Sequence, residues 1–108
     1  MLFRSPLNRR AFEEHVRRAL DSLPAPVAAA LENVAVVVEE ADPDDPDLFG
    51  LWQSHDYLPD KITIYRKPLL ETFSDPTELE EEIRVTVLHE LAHYFGIDEG
   101  RLEELGYD

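Results

Sequence analysis

The segment from Asp75 to Gly96 constrains this chain more than any other. Asp75 suits a helix N-cap, Pro76 suits the first helical position, and Glu78 stands where a capping box needs it. Leu79, Ile83, Val87 and Leu91 recur every four residues and form one apolar stripe. Gly96 tolerates the left-handed backbone that closes a helix. The spacing predicts one helix from Pro76 to about Phe95. In a chain of 108 residues there is room for a single modest core and no second domain, so residues 1–108 read as one unit.

The last turns of that helix carry His89-Glu90-Leu91-Ala92-His93. Residues four apart lie one above the other on a helix, so His89 and His93 can aim at one metal ion from one side. Glu90 sits about 100° round the helix from His89, placed to meet a water on the metal rather than the metal itself. Imidazole suits Zn²⁺, and a carboxylate in that place suits a general base. The bland alternative is a buried helix with two incidental histidines.

Composition narrows the chemistry. There is no cysteine, so disulfides and thiolate ligation are excluded, and a metal must be held by His and carboxylates. No apolar run approaches membrane-spanning length. The start, Met1-Leu2-Phe3-Arg4-Ser5-Pro6, lacks the apolar centre of a signal peptide, and a cytoplasmic location is expected. A net charge of −14 disfavours nucleic acid. Charge is uneven: Arg4, Arg9, Arg10, Arg17 and Arg18 cluster early, while Glu39 to Asp60 holds eight carboxylates and no Lys or Arg. The basic cluster reads as a solvated helix face.

Along the chain, Asn8 should cap a helix from about Arg9 to Leu20, with Phe12, Val16, Ala19 and Leu20 inward. A short helix is expected over Val27–Leu31. Val34–Val38 is a β-branched run that reads as a strand buried on both faces. Asp42-Pro43-Asp44-Asp45-Pro46-Asp47 reads as a solvated acidic loop. Leu48–Gln53 and Lys61–Arg66 read as strands, with a helical turn over Pro68–Phe73 and a last helix over Gly100–Leu105.

The motif and its setting resemble the zincins, and the whole chain is similar to the bacterial minimal zincin-like metallopeptidase family. Besides the histidine motif, the likeness rests on Phe12-Glu13, Ala19 to Pro24, Asn33 to Glu39, Leu48 to Gln53, Ile62 to Leu69 and Gly96 to Gly106. The resemblance implies an α+β fold, a small mixed sheet packed against helices with the H-E-x-x-H helix across it. It implies Zn²⁺ as cofactor and a peptide or protein substrate. In the pattern H-E-x-x-H-x-x-G-x-x-(third ligand), the last position falls on Glu99, giving His89, His93 and Glu99 as ligands and Glu90 as catalytic base. Asp98 is the alternative ligand, though it also suits an N-cap for the final helix. Glu103, Glu104 and His55 are further outside candidates. The chain departs from better-known zincins: its only methionine is Met1, so there is no Met-turn, and only fifteen residues follow His93.

Tyr65, Arg66 and Tyr107 are candidate donors to a developing oxyanion. An exposed edge of the Lys61–Arg66 strand could hold an extended peptide. Two rival functions use the same residues differently. One is a non-catalytic metal-binding domain; the other is a protein-interaction module built on the acidic surface and an exposed Trp52. Oligomeric state is not encoded in any motif.

Overall fold

In a computed structural model of the protein, residues 8–54 and 59–95 are described. Their order is α1 (Arg9–Asp21), α2 (Ala25–Ala30), β1 (Ala35–Glu39), β2 (Gly50–Gln53), β3 (Lys61–Tyr65), α3 (Arg66–Thr72) and α4 (Pro76–Phe95). The class is α+β with a small mixed sheet, as expected. β3 is central, pairing with β1 in parallel and with β2 antiparallel.

The helix ends follow local chemistry. Asn8 is extended, and its side chain accepts the N–H of Ala11 at 2.8 Å. Asp75 Oδ2 accepts the N–H of Glu78 at 3.0 Å, and the Asp75 carbonyl accepts that of Leu79 at 2.8 Å. The Ala11 and Glu78 N–H groups, which a helix start leaves unpaired, are thereby satisfied by side chains. α1 turns Phe12, Val16 and Ala19 inward against α4. The core centres on Phe12, Ile62, Ile64, Leu69, Leu79, Ile83 and Val87, all fully buried. Burying side chains of this size stabilises the fold by about 1.5–3 kcal/mol each.

Two strand expectations are corrected. β1 is not buried on both faces: Ala35 and Glu39 are exposed, and only Val38 is fully buried. β1 is an edge strand, and the Arg9 guanidinium hydrogen bonds to the Val38 carbonyl. β-branched residues favour a strand without saying whether it is central. The second correction concerns β3, expected to offer a free edge. Both its edges are paired, Ile62 to Tyr65 are buried, and Arg66 already opens α3.

Among the described residues, the second free edge therefore belongs to β2. The Tyr65 N–H donates to the Phe49 carbonyl at 2.8 Å. In an antiparallel ladder this makes Leu51 and Gln53 the bonded positions and turns the N–H groups of Gly50 and Trp52 outward. The acidic loop before β2 is folded on itself. Asp42 Oδ1 accepts the N–H groups of Asp44 at 2.8 Å and Asp45 at 2.9 Å, and Asp42 Oδ2 accepts the Tyr65 hydroxyl at 3.1 Å. Among the described residues, no helix is long and apolar enough to cross a membrane.

Candidate functional site

α4 has two working stripes. Leu79, Ile83, Val87 and Leu91 enter the core. Thr86, Glu90 and Tyr94, also four apart, lie along β2. A methyl group added at Gly50 would stand 2.5 Å from Thr86 Cγ2 and 3.2 Å from the Thr63 carbonyl oxygen, so helix and strand lie close together there. Two residues along β2, the Trp52 N–H donates to Glu90 Oε1 at 2.9 Å. The Trp52 indole then stacks on Tyr94, with ring centroids 4.4 Å apart and planes at 22°. Four helical residues rise about 6 Å and two strand residues about 6.6 Å, so the two elements stay in step.

A cleft of about 300 Å³ opens beside this seam, lined by Asp45, Asp47, Leu48, Phe49, Gly50, Thr86, His89 and Glu90. His89 and Glu90 thus share one cavity, which Asp45 and Asp47 of the acidic loop also line. The Glu90 side chain is 18% exposed, and its Oε2 lies 3.9 Å from His93 Nδ1. The His93 side chain is 79% exposed and is not part of the cleft lining. Glu90 therefore stands between the two histidines in contact terms: it shares the cleft with one and approaches the other.

Glu99, Asp98, Glu103, Glu104, Tyr107 and His55 lie outside the described residues. Among the described residues, no three His, Asp or Glu side chains converge as a metal-binding group. The donor chemistry that is described fits zinc: two imidazoles one helical turn apart on a rigid helix, with no thiolate in the chain. Tyr65 does not turn toward this site. Strand alternation puts it on the sheet face opposite Ile64, and its hydroxyl is engaged by Asp42. Arg66 Nη1 donates to Glu40 at 2.6 Å.

Trp52 is corrected as well. It is partly buried rather than an exposed docking residue, and its Nε1 is buried with no hydrogen-bond partner among the described residues. The stack with Tyr94 holds the ring in place. Tyr94 is itself tied down: hydrogen bonding to Asp60, and then that carboxylate's charge, raise its phenol above the usual range. The motif alone did not point to Trp52, Gly50 or Thr86. The four-residue spacing of Thr86, Glu90 and Tyr94, together with a glycine inside a short strand, is the signal that could have found them.

A family model for zincin-like metallopeptidases matches residues 31–107. The chain belongs to that zincin-like metallopeptidase family. A conserved hypothetical protein from Thermo thermophilus is similar in structure, with a TM-score of 0.55 and 25% sequence identity over 85% of this chain and 97% of that one. No curated protein matches the chain.

Proposed function

We propose that the protein is a zinc-dependent metallopeptidase. His89, His93 and Glu99 would hold the ion. When bound, zinc supplies a Lewis acid for the scissile carbonyl and makes a water acidic near neutral pH. Glu90 is the general base: Oε1 is seated on the Trp52 N–H, and Oε2 is left to take a proton and pass it to the leaving amine. The cleft that Glu90 shares with His89 receives the substrate, a peptide or protein. The carrying observation is this carboxylate, anchored at the free edge of β2 on the helix that bears both histidines, in a chain of this family. The same reading includes a cytoplasmic location, away from nucleic acid and membranes.

The test starts with metal analysis of protein purified without nickel affinity, where about one zinc per chain is expected. A broad peptide library then probes hydrolysis by the parent chain and by Glu90→Gln. The variant should keep zinc and lose at least about 10²-fold in rate, the usual contribution of a general base. Hydrolysis that survives Glu90→Gln would remove Glu90 from the role. Zinc without hydrolysis would favour a non-catalytic metal-binding domain, and absence of zinc a protein-interaction role.

A further inference from the structure

We infer that the backbone amide of Trp52 is a positioning group that holds Glu90 off the metal, keeping it a base rather than an extra ligand. The inference rests on the metallopeptidase reading. Glu90 precedes His93 by three residues, and residues three apart are neighbours on a helix surface. Glu90 Oε2 is 3.9 Å from His93 Nδ1. Carboxylates are good zinc ligands. On the metallopeptidase reading an ion held by His93 would lie near this carboxylate, and a restraint from outside the helix would keep the two apart.

β2 supplies it. The Trp52 N–H faces away from β3, so the sheet does not use it, and Glu90 Oε1 accepts it at 2.9 Å. A hydrogen bond to an ionised acceptor is among the stronger ones, and the low exposure of Glu90 limits competition from water. The amide is itself held in place. Gly50, two residues earlier, lets Thr86 press onto the strand, and the Trp52 indole is stacked on Tyr94, the residue after His93. The pairing of β2 with β3 and the close approach at Gly50 place the amide, the indole stack being secondary, and one carboxylate oxygen is committed to it.

Two measurements test this. The first needs no metal. Amide hydrogen exchange at Trp52 is followed by NMR in the parent chain and in Glu90→Ala, with the Thr63 and Tyr65 amides as fold controls. Loss of the acceptor should speed Trp52 exchange by roughly tenfold, the equivalent of one ordinary hydrogen bond, and leave the controls unchanged. Unchanged Trp52 exchange would overturn the inference.

The second uses Co²⁺ as a spectroscopic probe and compares Trp52→Ala with Trp52→Pro. Both variants lose the indole, but only proline removes the N–H, and no sheet bond goes with it because that N–H faces outward. Trp52→Ala should keep the parent's visible Co²⁺ spectrum. Trp52→Pro should show the weaker absorption of a higher coordination number, and adding Glu90→Ala should return it to the parent form. Identical spectra for the alanine and proline variants would overturn the proposed role. If the parent chain takes up no Co²⁺, the metallopeptidase reading fails instead, and the exchange comparison still decides whether the amide seats Glu90.

Discussion

At Gly50, a hydrogen where other residues carry a carbon sets how closely α4 lies on β2. Gly50→Ala places a methyl 2.5 Å from Thr86 Cγ2. Overpacking of this kind costs about 1–3 kcal/mol, and the helix would be levered from the strand that seats Glu90. Denaturant unfolding should show the loss, and Thr86→Ser, which removes the opposing methyl, should recover part of it. A second residue-scale prediction concerns Tyr65. Burial first, then its bond to Asp42 and that carboxylate's charge, push the phenol up to about 12. Asp42 is held low in turn, chiefly by the Asp44 N–H and also by the Asp45 N–H and the Tyr65 hydroxyl. The Tyr65 pKa is raised on folding, so its contribution to stability is full below the ordinary value of 10 and is lost as pH climbs through about 12. A spectrophotometric titration should show a late phenol step that Tyr65→Phe abolishes.

At the scale of elements, the α1–α4 seam is tuned by one carboxylate. Glu80 Oε2 meets His15 Nδ1 at 2.5 Å and Arg18 Nε at 3.0 Å. The His15 hydrogen bond is the larger cause, and with Arg18 it holds the Glu80 carboxyl below its usual 4.5. A depressed folded pKa gives stability that is present above 4.5 and is lost as pH falls through the lower folded value. Thermal melts across acid pH should show Glu80→Gln with a shallower loss than the parent chain. Within α4, Asp75→Ala removes the cap on the Glu78 N–H and should cost about 1 kcal/mol. Ile83→Ala hollows the fully buried core stripe and should cost about 2–5 kcal/mol. Comparing their unfolding midpoints separates end fraying from core loss.

At the scale of the whole molecule, each outer strand of a small sheet has one outward backbone group taken up by a helix side chain. Arg9 of α1 caps a carbonyl of β1, and Glu90 of α4 caps an amide of β2. Free sheet edges invite pairing with other chains, so these two side chains guard against that pairing as well as shaping the site. The zinc reading makes its strongest demand at this scale, because the ligand proposed beside the two histidines, Glu99, follows α4 in the sequence. Glu99→Ala should weaken zinc binding by removing a charged ligand. Asp98→Ala should mainly loosen the chain end, by about the 1 kcal/mol of a lost cap. Zinc titration of both variants checks the assignment, and the reverse pattern would exchange the two roles.

Local chemistry was enough to read α4 in the sequence. Asp75 and Pro76 start it, the Leu79–Leu91 stripe faces it inward, and the histidine motif sits on it at helical spacing. α1 was legible for the same reasons, from Asn8 and the Phe12–Val16–Ala19 face. These features depend on residues within a turn or two of each other, so the order of residues determines them. Strand roles were not legible. Val36 to Val38 and Ile62 to Ile64 are equally β-branched, and only pairing between distant segments made one an edge and the other the centre. The anchoring of Glu90 belongs to that second kind. It joins residues 52 and 90 through a backbone amide, a group every non-proline residue carries. No side-chain pattern marks which amide is left outward until β3 has taken the other face of the ladder.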